Sequence, residues 1–280
     1  MYALKSFANG FEYIEIQNSA AHAKIALQGA HIFDYVRSGS ALLWLSETSK
    51  FEEGRAIRGG IPICWPRFGN LDKSLPQHGF ARIFLFELIK VEEVNERLTQ
   101  VHLQLKSSEI SKKIWNYDFT LDIVFDISET LSISMKTTNE DAKEFLLTQA
   151  FHTYFQVKNI ENITIEGLKG VEFLDTLTDT KSVENRALKI SAETDRVYLG
   201  VKRDICLRED DKEVLIHAEN SHSAIVWNPW IEKCSKMSAM QPEAYKEFVC
   251  IESANAFDDF RTLKPNERYT LSVEYRMQRS

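Results

Sequence analysis

Hydrophobic and polar residues alternate with a period of two along most of the chain, in short runs separated by turn-forming residues. In segment 119–140, FTLDIVFDISETLSISMKTTNE, two alternating runs flank a polar turn near Ser128 and Glu129. Such runs predict strands with one buried face, and a short polar turn between two of them predicts an antiparallel hairpin. Further strands are predicted within 11–17, 41–46, 80–94, 97–108, 144–157, 213–220, 224–228, 248–253 and 268–277.

Helical periodicity is weak. Segments 108–116 (SEISKKIWN) and 241–248 (QPEAYKEF) could each form a short helix, the second with Pro242 near its first turn. The pattern therefore predicts an all-β fold, a large antiparallel β-sandwich with a few short helices. The chain of 280 residues contains no repeat and no Pro/Ser/Gly linker, so residues 1–280 are expected to form a single domain.

Composition narrows the class of partner. The net charge is −7, so the chain lacks the positive field that attracts nucleic acids and anionic membranes, and neither is expected as a partner. No apolar run approaches the ~18 residues of a membrane span, and residues 1–16 lack the apolar core of a signal peptide. A soluble cytoplasmic protein is expected. The four cysteines are scattered, which favours free thiols in a reducing compartment.

Segment 58–69, RGGIPICWPRFG, combines two adjacent glycines with two prolines. Gly59 and Gly60 allow backbone angles that other residues resist, and Pro62 and Pro66 remove hydrogen-bond donors. These features predict a shaped loop and not a central strand. The loop could aim Arg58 at an anion. A surface loop whose arginine caps carbonyls or pairs with an acid is the alternative.

Segment 75–84, LPQHGFARIF, places an amide, an imidazole and a guanidinium within six residues, at Gln77, His78 and Arg82. Arg82 is expected to enter a strand and could join Arg58 on one phosphate, because a guanidinium is planar, permanently charged and bidentate. The alternative is a hairpin connection with a surface arginine.

Two further segments each contain a titratable group among apolar neighbours. If 147–156 is extended, His152 lies on the more polar face, where an imidazole can exchange a proton near neutral pH. Glu252 lies in the apolar strand FVCIES, where burial would raise its pKa and suit it to act as a general base. A histidine bonded to backbone and a glutamate paired with an arginine are the alternatives. No metal-ligand, phosphate-loop or dinucleotide motif is present in the sequence.

Six segments, taken together and in order, resemble the hexose-6-phosphate mutarotases, the glucose-6-phosphate 1-epimerases of the aldose 1-epimerase superfamily. They are AIRGGIPICWPRFG, LPQHGFAR, AFHTYF, ETDRVY, VWNPW and CIESANA. The resemblance implies a galactose-mutarotase-like β-sandwich with no cofactor and no metal. It also implies that His152 is the catalytic acid and Glu252 the catalytic base.

By motif position, the substrate-binding residues implied by the same resemblance are Arg58, Gln77, Arg82 and Asp195, and we extend the groove to His78 and Trp227. The expected ligand is a small sugar phosphate, with both arginines on the phosphate, and the expected assembly is a monomer. Two other functions remain open on the residues alone. A non-catalytic carbohydrate-binding sandwich needs no His/Glu pair, and a glycoside hydrolase needs two carboxylates across the scissile bond.

Overall fold

The structure is a computed structural model that describes residues 1–70, 74–210 and 212–279. Most of these residues lie in strands, as the period-two pattern predicts. In chain order the first strands are β1 (Tyr2–Ser6), β2 (Glu12–Gln17), β3 (His22–Ala26), β4 (His31–Arg37), β5 (Ser40–Ala41), β6 (Ile63–Cys64), β7 (Glu87–Asn95), β8 (Leu98–Lys106), β9 (Phe119–Ile127), β10 (Thr130–Asn139), β11 (Phe145–Leu147) and β12 (Gln149–Phe151).

The remaining strands are β13 (Tyr154–Gln156), β14 (Thr164–Glu166), β15 (Glu172–Asp175), β16 (Thr180–Val183), β17 (Thr194–Leu199), β18 (Ile205–Glu209), β19 (Lys212–Glu219), β20 (Ser223–Asn228), β21 (Phe248–Asn255), β22 (Arg261–Leu263) and β23 (Arg268–Arg279). The two α-helices of the described residues are α1 (Glu109–Ile114) and α2 (Trp230–Lys236), and 3₁₀ turns occupy Ala81–Ile83, Ile160–Asn162, Ala244–Lys246 and Phe257–Asp259. None of these helices is long and apolar enough to cross a membrane.

The strands form three large antiparallel sheets. The N-terminal sheet has the order β1-β2-β3-β4-β5. The long-strand sheet has the order β14-β18-β19-β23-β10-β9-β8-β7. The central sheet has the order β16-β15-β17-β20-β21-β12-β6, and β13 also pairs with β21. Strands β11 and β22 form a separate pair.

The central and long-strand sheets pack face to face and enclose the main core. The ring of Phe155 on β13 lies 5.4 Å from that of Tyr275 on β23, and the hydroxyls of Thr153 and Tyr275 are 2.6 Å apart. In the same interface Trp65 Nε1 donates to Thr137 Oγ1 at 2.9 Å. Alternating burial along β10 shows that one face of the long-strand sheet lies in this core. The all-β antiparallel sandwich predicted from the sequence is confirmed.

The hairpin of β9 and β10 also agrees with its prediction, since Ile127 pairs with Leu131 and leaves Ser128 and Glu129 near the turn. The first predicted helix is present as α1. It begins with a capping box, in which the Ser108 hydroxyl accepts from Ser111 N and the Ser111 hydroxyl accepts from Ser108 N.

Other boundaries differ from the prediction. Segment 144–157 is three short strands, because the chain leaves extended geometry at Thr148 and again at 152–153. The predicted helix in 241–248 is only a 3₁₀ turn at Ala244–Lys246. Helix α2 was not predicted. Its first residue, Trp230, has a positive φ of 54°, and Asn228 Oδ1 accepts from its backbone N–H at 2.9 Å.

Arg82 does not enter a strand, contrary to the prediction. Gly79 passes so close to Trp65 that a Cβ on it would lie 2.0 Å from the Trp65 carbonyl oxygen. The same oxygen accepts hydrogen bonds from the amides of Phe80 and Ala81, which bends the chain into the 3₁₀ turn that holds Arg82. The loop's approach to Trp65 therefore decides the local conformation.

Candidate active site

One face of the central sheet presents a row of functional side chains. Asp195 on β17 is paired with Trp227 on β20, Trp227 with Cys250 on β21, and Cys250 with Tyr154 on β13. Directly opposed residues share a face, and Glu252, two positions beyond Cys250, lies on the same face. The alternation of the strands therefore brings together side chains that are up to about a hundred residues apart in the sequence.

Loops above this face close a cavity of about 380 Å³. All eight residues singled out from the sequence line it: Arg58, Gln77, His78, Arg82, His152, Asp195, Trp227 and Glu252. Aromatic, amide and charged side chains therefore surround a single cavity, whose volume suits a small polar ligand.

His152 and Glu252 face each other across the base of the cavity. His152 Nε2 lies 3.5 Å from Glu252 Oε1, and only 11% and 2% of the two side chains are exposed. The His152 ring stacks on Tyr154 with centroids 5.0 Å apart and planes 10° apart, and Trp227 meets it edge-on at 6.1 Å. The imidazole is thus held by packing, on the cavity side as the alternation suggested, although the strand is broken beside it.

Burial sets the electrostatics of this pair. It raises the pKa of Glu252 well above its usual range, and the nearby Asp195 carboxylate adds to the effect. It lowers the pKa of His152 well below 6.5, and His78, Arg82 and Arg58 lower it further. Both groups therefore favour their neutral forms in the free protein, in which the carboxyl holds the proton. Among the described residues, His152 Nδ1 and Glu252 Oε2 are buried without a hydrogen-bond partner, and such atoms concentrate at functional sites.

Arg58 is fixed through both its backbone and its side chain. Its amide donates to Ser49 Oγ at 2.9 Å, and its carbonyl accepts from Ser46 N at 3.1 Å. Its Nη1 donates to the Tyr154 hydroxyl at 3.3 Å. The surface-loop alternative for 58–69 is wrong, because most of this segment is buried and its middle forms β6, the edge strand that pairs with β12.

The two glycines that follow Arg58 pack against the N-terminal sheet. The Gly59 carbonyl accepts a hydrogen bond from the buried His31 Nε2 at 2.8 Å. Gly60 has a φ of 62°, and a Cβ on it would lie 2.4 Å from the Ile32 carbonyl oxygen and 2.7 Å from His31 Nε2. Only glycine fits this approach, which explains the paired glycines in the sequence.

Gln77, His78 and Arg82 line the cavity from a second loop. Arg82 Nη2 donates to the Gln77 carbonyl at 2.6 Å. His78 has a φ of 62°, its Nδ1 accepts from Gly69 N at 3.3 Å, and its ring lies 5.4 Å from that of His152. Burial, together with Arg82 and Arg58, lowers the pKa of His78 to about 3, so its ring is neutral near pH 7.

Sequence reasoning missed two functional groups in this cavity. Tyr154 was not singled out, although it lies two positions after His152 and an extended chain would place both on the same face. Lys233 also lines the cavity, and its Nζ lies 2.8 Å from Glu193 Oε1. It belongs to α2, which carried no clear periodic signal. Lys233 lowers the pKa of Asp195, against the larger raising effect of burial.

The cavity thus contains two buried titratable groups in contact, His152 and Glu252, together with the permanent positive charges of Arg58 and Arg82. Among residues 1–70, 74–210 and 212–279, no group of three or more His, Cys, Asp or Glu side chains is arranged to hold a metal ion. The four cysteines are free and buried.

The sequence profile described as aldose 1-epimerase matches residues 12–276. The chain belongs to the aldose 1-epimerase family. It is therefore an enzyme of the isomerase class that acts on a sugar. A protein of Escherichia coli K12 with the provisional name glucose-6-phosphate 1-epimerase is 34% identical over 259 residues, which cover 90% of this chain and 86% of that protein.

Solved structures agree with the family's fold. A protein of Salmonella typhimurium, provisionally described as a mutarotase, has a TM-score of 0.93 at 29% identity and covers 100% of this chain and 94% of its own. A galactose mutarotase related enzyme of Lactobacillus acidophilus has a TM-score of 0.77 at 15% identity, covering 96% of this chain and 97% of its own, and shows the fold alone. The galactose-mutarotase-like sandwich expected from the six segments is confirmed.

Proposed function

We propose that this enzyme interconverts the α and β anomers of a hexose 6-phosphate, with glucose 6-phosphate as the first substrate to test. The observation that carries the proposal is the His152–Glu252 pair, 3.5 Å apart, in one cavity with Arg58 and Arg82. The provisional name of the Escherichia coli relative supports the choice of sugar.

The reaction needs two proton transfers at neighbouring oxygens. Glu252 removes the proton of the C1 hydroxyl while His152 delivers a proton to the ring oxygen. The bond between C1 and the ring oxygen breaks, and C1 becomes an aldehyde carbon. After rotation about the C1–C2 bond, the reverse transfers close the ring on the other face of C1. Both oxygens are bonded to C1, so two groups in contact with each other can reach both.

The pair must hold one proton to do this. In the free protein that proton favours Glu252, because both groups are buried. Its transfer to His152 leaves the total number of protons unchanged and produces the imidazolium and carboxylate that ring opening uses. In the free enzyme His152 is therefore not simply protonated. His152 and Glu252 share one proton, and its position changes during the reaction.

Arg58 and Arg82 bind the phosphate on C6, since guanidinium groups match phosphate oxygens in charge and geometry. Asp195, Gln77 and His78 bind ring hydroxyls. Trp227 packs on the C–H face of the sugar. The reaction consists of proton transfers, cleavage and re-formation of the bond between C1 and the ring oxygen, and one bond rotation. None of these steps changes an oxidation state, so the proposed chemistry needs no redox cofactor.

Exchange spectroscopy by NMR tests the proposal, because it measures anomer exchange at equilibrium. His152→Asn should lower kcat, and Arg58→Ala or Arg82→Ala should raise KM for glucose 6-phosphate. His217→Asn, which changes an exposed histidine outside the cavity, is the matched control. A wild-type protein that binds sugar phosphates without accelerating exchange would be a carbohydrate-binding protein and would end the proposal.

A further inference from the structure

Two permanent positive charges, Arg58 and Arg82, lie close enough to the His152 imidazole to lower its pKa. Arg58 Nη1 donates to the hydroxyl of Tyr154, at 3.3 Å, and the ring of Tyr154 stacks on His152. On the other side, Arg82 Nη2 donates to the carbonyl of Gln77, the residue before His78, and the His78 ring contacts His152. Each arginine is thus connected to the imidazole through one of its three ring neighbours, Arg58 through Tyr154 and Arg82 through His78.

The two arginines destabilise the positive charge that His152 must carry when it acts as the acid. An imidazolium at position 152 would form in a buried site beside two guanidinium groups, with His78 and Trp227 as its other ring neighbours. The carboxyl group that faces it, Glu252, is itself held towards its neutral form by burial and by Asp195, and Arg82 acts in the other direction. The free site therefore disfavours the ion pair.

We propose that the phosphate of the substrate activates the chemical step, by compensating the charges of Arg58 and Arg82 and so favouring the imidazolium–carboxylate form of the His152–Glu252 pair. The inference rests on the proposed function and extends it, since the phosphate then acts on catalysis as well as on binding. Remote binding energy commonly raises kcat in this way when it is used to change the reacting groups.

Phosphorylated and unphosphorylated sugars should therefore differ in kcat. Glucose can enter the cavity but leaves the arginine charges uncompensated, so the pair stays neutral. The ratio of the two forms depends on the pKa of His152 relative to that of Glu252, and it changes tenfold when that difference changes by one. Arg82 lowers the pKa of both groups, so part of its effect cancels. We expect kcat for glucose 6-phosphate to exceed that for glucose roughly tenfold or more.

A substrate cut into two pieces tests this directly. D-Xylose has the pyranose ring of glucose without C6, so inorganic phosphate can occupy the arginine site beside it. We expect phosphate to raise the enzyme-catalysed exchange of xylose about tenfold or more in a saturable manner, after subtraction of the enzyme-free rate. If phosphate inhibits or has no effect while glucose 6-phosphate is still exchanged, the activation proposal is wrong and the proposed function stands. If glucose 6-phosphate is not exchanged, both are wrong.

The protonation of His152 provides a second readout that does not depend on turnover. In protein labelled with ¹⁵N-histidine, the His152 signals, assigned by their loss in His152→Asn, should move towards imidazolium on addition of inorganic phosphate. Arg58→Met should raise the pKa of His152 without phosphate. Arg55→Met is the control, because Arg55 is exposed and paired with Glu52. The proposal would be overturned if the His152 signals did not change on addition of phosphate. It would also be overturned if Arg58→Met and Arg55→Met changed the pKa of His152 equally.

Discussion

Gly60→Ala tests whether the packing of the glycine loop holds the Arg58 side of the cavity. A Cβ at this position would meet the Ile32 carbonyl oxygen at 2.4 Å, His31 Nε2 at 2.7 Å and Phe33 Cα at 2.8 Å. Two of these atoms are backbone of β4 and cannot rotate away. Either the strand or the loop must therefore move, and Arg58 lies only two residues from the substitution.

The expected magnitude follows from two separate costs. Alanine at a φ of 62° costs about 1–2 kcal/mol because L residues resist the left-handed region. The steric conflict adds about 1–3 kcal/mol, as is usual for an overpacked site. Gly54→Ala is the matched control, since Gly54 has a φ of 74° and a Cβ added there would meet no atom within 4 Å, so that it carries only the first cost.

The assay is unfolding in urea, with the free energy of unfolding extrapolated to water, together with KM for glucose 6-phosphate. We expect Gly60→Ala to lose about 1–3 kcal/mol more than Gly54→Ala, which is the overpacking cost alone. We also expect KM to rise only for Gly60→Ala. Equal losses of stability and equal KM values for the two variants would refute the reasoning.

Three further predictions follow from the contacts of the cavity. Tyr154→Phe removes the hydroxyl that accepts a hydrogen bond from Arg58. KM for glucose 6-phosphate, measured by exchange spectroscopy, should rise about tenfold, the equivalent of ~1.5 kcal/mol for a hydrogen bond to a charged group. An unchanged KM would contradict this prediction. Burial lowers the pKa of His31 to about 4, so the unfolded chain binds a proton below about pH 6.5 that the folded protein excludes, and stability must fall as the pH drops from 6.5 towards 4. His31→Gln should make that fall less steep in urea unfolding at pH 7 and pH 5, and an identical slope would count against it. Lys233→Met removes a cation that lowers the pKa of Asp195, so on acidification KM should begin to rise at a higher pH than in the wild type; superimposable KM–pH profiles would exclude this role.

The sequence predicts the sandwich because most strands bury one face. A strand with one buried face has hydrophobic and polar residues in alternation, and this pattern is visible in the sequence. The hairpin of β9 and β10 was therefore located to its turn. The conformation around Arg82 was not predicted, because it depends on the contact of Gly79 with the Trp65 backbone, which is formed by distant parts of a loop. Periodicity contains no information about such contacts.

The cavity, too, was predicted only in part from the sequence. The resemblance of six segments selected residues that the structure brings into one cavity, and Asp195 would not have been found from pattern alone. Lys233 was missed because α2 starts at a residue with positive φ, after a buried asparagine whose side chain donates to the Tyr245 and Phe248 carbonyls. The raised pKa of Glu252 was predicted from its apolar strand, and the structure agrees. The lowered pKa of His152 was not predicted, since it results from burial and from His78, Arg82 and Arg58, which other segments contribute.

Glu252→Gln offers the most direct test of acid–base anomer exchange, because the amide has the shape of the buried carboxyl group but cannot accept or release the proton. The measurement is the exchange rate between the anomers of glucose 6-phosphate at equilibrium, with binding monitored on the same samples. We predict that exchange falls by a factor of about 10²–10⁴ while the sugar phosphate still binds. Exchange at the wild-type rate in this variant would contradict the account.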